Sequence, residues 1–177
     1  MLRIELFDKT YSENLFKAKI DNMFIMFHTA IMLEDLSRVD HFINDEVYSE
    51  YQMKIKELQI KNLRQMYDEL NVASSEIVDV NVIDNKIIVK VLLVAKYIDY
   101  VLDKSSGSVI SGNNLQRVEK KYYLTLEKRL DAKKLEIARE CPACGANMNV
   151  NYSGKCEYCG SIFNTEDYDW IITKIEK

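Results

Sequence analysis

The chain has 177 residues, 47% hydrophobic and 29% charged, enough to bury a core, which excludes a disordered or fibrous polymer. Its 24 Lys and Arg against 28 Asp and Glu leave a formal charge of -4, which excludes any general electrostatic pull toward nucleic acid or anionic lipid; such a partner has to be met by a local basic face. Only five glycines and one proline occur, none before Gly107, so the first part of the chain holds no flexible linker.

Thr10 and Glu13 have the spacing of a capping box, and Leu15, Phe16, Ile20, Met23, Phe24, Phe27 and Ile31 then recur at steps of three and four. That pattern predicts a long helix over 11–33. A short second helix is expected over Asp35 to Ile43. Asn44 caps a third, with Asp45 and Glu46 where the helix dipole favours negative charge, and its apolar stripe (Val47, Tyr51, Ile55, Leu58, Leu63, Met66, Leu70) carries it to near Asn71. Lys54, Lys56, Lys61 and Arg64 lie mainly off that stripe, which predicts a basic polar face interleaved with Glu50, Glu57, Asp68 and Glu69, as on an ordinary solvated helix.

From there the pattern turns to strands. Ile77 to Ile83 and Lys86 to Leu102 flank an Asp84-Asn85 turn, and Asp103 to Asn114 reads as a turn-rich connection. Beyond it Val118, Tyr122, Leu124 and Leu126 alternate with polar residues, as in a strand with one wet face. Helices first and an antiparallel meander afterwards predict an α+β domain over residues 1–132, its helices covering one face of a curved sheet. A charged connector follows over 133–140, a small unit over 141–164, and a terminal stretch over 165–177, strand or helix, that docks back.

Four of the six Gly and Pro residues fall in that small unit, around Cys141, Cys144, Cys156 and Cys159. Each Cys-x-x-Cys-Gly knuckle aims two sulfurs at one point, and two knuckles complete a tetrahedron with no position left for water or substrate. Structural zinc (Zn2+) is therefore the expected cofactor, with iron or a cluster, a redox pair and disulfides as the competing readings. Residues 1–10 show no export signal, and the longest uncharged run, Asn22 to Leu33, is too short for a span of about 20 residues. Together these predict a soluble, cytoplasmic chain. Lys155 is the lone base from Cys141 to Tyr168, against Glu157, Glu166 and Asp167, so nucleic acid is not expected as a partner of the ribbon.

The segments Asp99-Tyr100-Val101-Leu102-Asp103, Gly107-Ser108-Val109-Ile110-Ser111-Gly112 and Tyr123-Leu124-Thr125-Leu126-Glu127-Lys128-Arg129, in this order of elements, resemble the Tim44-like family over residues 1–130. The resemblance implies a cone of the nuclear-transport-factor-two-like superfamily. It further implies the company of bacterial transport proteins, many with a zinc ribbon after this domain, and a non-enzymatic role. Peripheral attachment to the inner face of a membrane through the first helices, a lipid or protein partner, and an apolar pocket for an acyl chain or peptide belong to the same implication. Oligomeric state has no residue signature.

Other residues compete for a role. The Met and Phe stripe (Met23, Phe24, Met26, Phe27, Met32) reads as core rather than as an interfacial or pocket-lining face. His28 and His41 stand without a serine motif or carboxylate pair and read as packed or solvated. The alternative function is a small-molecule enzyme or carrier using the cone cavity. Asp99 would be its base and Tyr97 or Tyr100 its oxyanion donor, although alternation puts Tyr97 and Asp99 on one sheet face and Tyr100 on the other. The leading expectation is a non-catalytic interaction module.

Overall fold

The computed structural model describes residues 3–9, 11–131, 158 and 169–177. Among these, α1 (Glu13–Met32) and α2 (Asp45–Ile60) precede β1 (Leu63–Ile83), β2 (Lys86–Asp103), β3 (Val109–Arg129) and β4 (Ile171–Glu176). The strands form one antiparallel sheet in the order β1-β2-β3-β4, the α+β arrangement expected. No helix among the described residues is long and apolar enough to cross a membrane.

Helix α1 starts later than the capping-box spacing predicts. Ser12 is its N-cap, without a side-chain bond, and Glu13 is its first residue, where it meets the positive end of the dipole and pairs with Lys17 at 2.7 Å. Phe16, Ile20, Met23, Phe24, Phe27 and Ile31 form the buried stripe, whereas Leu15 is 72% exposed and falls outside it. The expected short helix resolves into two 3₁₀ turns, Leu36–Arg38 and Asp40–Phe42, the first opened by Asp35 accepting from the Ser37 N–H.

Asn44 caps α2 as predicted, its Oδ1 accepting from the Val47 N–H at 3.0 Å. The helix ends at Ile60, well short of Asn71. Asn62 adopts φ +57°, which stops the helix without a glycine. Its carbonyl accepts from the Lys104 N–H at 2.9 Å, and its side chain donates to Ser105. Leu63, Met66 and Leu70 keep helical spacing but begin β1, because pairing with β2 (Leu63↔Asp103, Tyr67↔Asp99) outweighs the local period.

The Asp84-Asn85 turn closes the β1–β2 hairpin with both residues at positive φ, the type I′ geometry that suits strand twist. Strand β3 begins at Val109, so the long connection expected up to Asn114 shrinks to residues 104–108. Gly112 permits this early start. It faces Tyr100 at φ +79°, and a Cβ there would lie 2.3 Å from the Asp99 carbonyl oxygen. Three register shifts in β1 and two in the β2–β3 ladder bend the sheet.

The terminal stretch is a strand. β4 pairs with β3 (Leu124↔Ile175, Leu126↔Ile172), Ile43 bridges to Ile172, and Trp170, Ile171 and Ile172 are buried. The Trp170 ring packs edge-on against Phe16 at 4.9 Å, and Asp169 pairs with Lys19. The described core is thus completed by a strand beyond the cysteines, while the connector 133–140 and Cys141, Cys144, Cys156 and Cys159 lie outside the described residues.

His28 is the one buried polar side chain in this core, ringed by Phe24, Tyr67 and Tyr122. Its Nδ1 donates to the Phe24 carbonyl at 3.0 Å, which leaves Nε2 as the acceptor of a neutral imidazole.

Two outcomes are expected. A chain ending at Asp131 loses the burial of Trp170, Ile171 and Ile172, at roughly 1.5–3 kcal/mol per side chain, which consumes most of an ordinary domain's stability of about 5–15 kcal/mol. Urea denaturation followed by circular dichroism should then show a broad, weakly cooperative transition. Burial also holds the His28 pKa down to about 4, so the folded state refuses a proton that the unfolded chain accepts below its ordinary value of 6.5. Stability is therefore full above that value and falls as pH drops toward 4, by roughly 3 kcal/mol. His28→Leu should flatten this part of the stability-against-pH curve; an unchanged slope would refute the assignment.

Candidate functional site

Along β2 the inner face runs Ile87, Val89, Val91, Leu93, Ala95, Tyr97, all buried, so it changes from aliphatic to aromatic toward one end. At that end β4 stops at Glu176, opposite Tyr123, and α2 passes over the start of β1. Between them lies a cleft of about 440 Å³. Helix α2 contributes Glu50, Tyr51, Lys54, Ile55 and Leu58; β1 contributes Gln65 and Tyr67; Ile31 of α1, Ile175 of β4 and Lys177 complete the lining.

Beneath the cleft, aromatic rings make a continuous contact chain. Phe27 meets Tyr51 at 4.7 Å, His28 meets Tyr67 at 4.8 Å, and Tyr67 meets Tyr97 at 5.3 Å, each edge-to-face. The Tyr97 and Tyr122 hydroxyls share a hydrogen bond of 2.5 Å. Desolvation pushes the phenols up: Tyr51 to about 12, helped by Glu50, and Tyr67 further, helped by Asp99 and Tyr97. Burial and the bond to Tyr97 raise Tyr122 as well. All of these phenols stay protonated at neutral pH, and His28 stays neutral.

The ammonium groups are placed differently. Lys54 pairs with Glu50 at 2.5 Å and sits 4.3 Å from the centre of the Tyr51 ring. Lys177 stands 5.5 Å from the centre of the Tyr122 ring, with no ion pair among the described residues. Desolvation lowers its pKa, Asp99 works against that, and Lys54 and Lys120 add to it.

Of the residues expected to act as an enzyme, alternation correctly puts Tyr97 and Asp99 on the inner face, yet they form no dyad. Tyr97 is engaged with Tyr122, and Asp99 accepts from Gln65 Nε2 at 2.8 Å. Tyr100 donates to Asp68 at 2.7 Å. Met23, Phe24 and Phe27 are core, as read from the sequence, while Met26 is exposed and Met32 Sδ accepts from the Tyr67 N–H. Among the expected basic residues of the third helix, Lys54 turns into the cleft and Arg64 belongs to β1, where it pairs with Glu34 at 3.5 Å. Cys141, Cys144, Cys156 and Cys159, the expected metal ligands, lie outside the described residues, and no group of three His, Cys, Asp or Glu that could hold a metal occurs among those described.

The resemblance implied an apolar pocket between helices and sheet, but sequence reasoning did not say which residues line it. Gln65 and Tyr67 were hidden by assigning them to a helix, although they stand two residues apart on β1, opposite Val101 and Asp99 of β2, with the alternation of paired strands. Ile175 and Lys177 reach the cleft through a pairing of high sequence separation, which leaves no local trace.

Compared with protein-family models, residues 1–136 match the Tim44-like domain. Comparison with curated protein sequences found no match. Among solved structures, the crystal structure of the intermembrane space region of the chloroplast protein ARC6 is similar with a TM-score of 0.45 at 9% identity, over 90% of this chain and 94% of that one. The family match runs through both helices and the first three strands, and the chain belongs to the Tim44-like family.

Proposed function

We propose that this protein is a non-catalytic interaction module that attaches peripherally to a membrane surface on its cytoplasmic side and recognises a lipid or protein partner, with a structural zinc in its cysteine unit. The observation that carries the reading is the cleft. Its lining offers donors and apolar walls, and its phenols, pushed up by burial, stay protonated across neutrality, which suits recognition rather than proton transfer.

A surface at one end of the domain supports peripheral attachment. Leu33, Ile60 and Ile110 are exposed, Ile60 at 85%. Each lies within two residues of Glu34, Asn62 or Ser108, which bonds among Glu34, Lys104, Asn62 and Asp103 draw together. Arg64 and Lys104 both pair with Glu34 there, Lys61 precedes Asn62, and Asp35 and Asp103 are the neighbouring carboxylates. Apolar tips with basic neighbours favour an anionic interface, the first by entering it and the second by Coulomb attraction of about 1 kcal/mol per base.

Cys141, Cys144, Cys156 and Cys159 would hold the zinc. Four thiolates saturate a tetrahedral ion, which then supplies folding energy and leaves no open position for chemistry.

Metal analysis of the purified chain should find about one zinc, removed by strong chelators at the expense of the fold of residues 141–164. Four free thiols in a folded, metal-free protein would refute this. The attachment is tested by sedimentation with vesicles of neutral or anionic phospholipid at low and moderate salt. Binding to the anionic vesicles should weaken as salt rises, and Ile60→Asp with Ile110→Asp should reduce it about tenfold. Absence of binding to both vesicles would overturn peripheral attachment.

A further inference from the structure

We infer that the cleft beneath α2 binds a carboxylate carried on a compact apolar body; this rests on the reading of the cleft as a recognition site and names its ligand chemistry. Three hydrogen-bond donors face the cleft with no acceptor among the described residues. They are the hydroxyls of Tyr51 and Tyr67 and the ammonium of Lys177. The carboxylates nearby are already engaged, Glu50 with Lys54 at 2.5 Å and Asp99 with Gln65 at 2.8 Å.

The chemistry of the donors narrows the ligand. Phenols whose pKa is pushed up remain donors throughout the physiological range, so an acceptor on the ligand is what satisfies them. An anionic acceptor makes the shorter, stronger bonds, and it also offsets the mutual repulsion of Lys177, Lys54 and Lys120. A neutral acyl chain leaves the two largely buried phenols unmet and Lys177 to water, and a cation meets the lysines unfavourably. Ile31, Ile55, Leu58 and Ile175 supply the apolar wall for the rest of the ligand. The volume of about 440 Å³ lies at the lower end for small-ligand sites, enough for a ring or a short branched chain. A free organic acid and the C-terminus of a peptide both present this group.

The test uses the full chain and calorimetry with two probe pairs: 4-phenylbutyrate against 4-phenylbutanol, and a tetrapeptide ending in leucine with a free carboxylate against its carboxamide. At least one acid should bind about tenfold more tightly than its neutral counterpart, and Tyr67→Phe and Lys177→Gln should each weaken that acid about tenfold. Tyr67→Phe keeps the buried ring, so an unchanged melting temperature separates lost recognition from lost folding. Which acid binds more tightly identifies the source of the carboxylate. Equal binding of acids and neutral counterparts, or no binding of either acid, overturns the inference. If vesicle binding persists in that case, the interaction-module reading stands without it.

Discussion

Everything in this domain follows from the need to cover one face of β2. Its inner residues from Ile87 to Tyr97 are shielded from water without exception, on a strand flanked by β1 and β3. Neighbouring strands satisfy backbone groups but do not cover side chains, so the face requires a layer above it. Helix α1 is that layer. Its 20 residues span about 30 Å, and its aromatic stripe meets the sheet at Phe24 against Tyr122 and His28 against Tyr67. The two 3₁₀ turns and α2 then extend the cover sideways, with Leu36, Val39, Phe42 and Val47 buried in the same core.

The cover is incomplete by construction, and the incompleteness is the cleft. β4 supplies six residues where β3 has 21, so it pairs with one end of its neighbour and leaves the other open. Where β4 ends, the inner face turns from Val and Leu to Tyr, a side chain that tolerates an apolar bed and a wet tip at once. Tyr97 and Tyr122 lie deep enough to need each other's hydroxyls, whereas Tyr51 and Tyr67 lie at the boundary and present theirs to the cavity. One residue type thus closes the core and lines the opening. The same gradient explains His28, which the aromatic end accommodates as a neutral ring because an i-4 carbonyl takes its proton donor.

Much of this plan was legible in the sequence wherever the signal is local. The 3.6-residue stripe of α1, the Asn44 cap, the Asp84-Asn85 turn and the alternation of Tyr122, Leu124 and Leu126 each reflect a force acting within a few residues. Misreadings came where distant pairing decides. Residues 63–71 have helical spacing and become strand because β2 needs an edge partner; 109–114 look like a loop and become strand because Gly112 lets the chain approach Asp99 closely. The choice between strand and helix for the terminal stretch was open for the same reason, since only Leu124 and Leu126 across the ladder decide it. The paired cysteines were the most specific motif in the chain, and the lining of the cleft was the least visible feature, being assembled from α1, α2, β1 and β4.

The position of β4 gives the domain a connectivity with mechanical consequences. Trp170, Ile171 and Ile172 anchor its start in the core, and Ile175 and Lys177 place its end at the cleft, within a strand of six residues and its flanks. A strand is stiff along its length, so a shift of its buried start is carried to its end rather than absorbed between them. Cys141, Cys144, Cys156 and Cys159 fall in the stretch of chain that joins β3 to this strand. A unit inserted between two paired strands differs from one tethered beyond a finished domain, because the chain on both sides of it belongs to the same ladder. The sheet that α1 covers and the cleft that α2 overhangs therefore meet in one short strand, the element on which the lining of the cleft and the integrity of the core depend together.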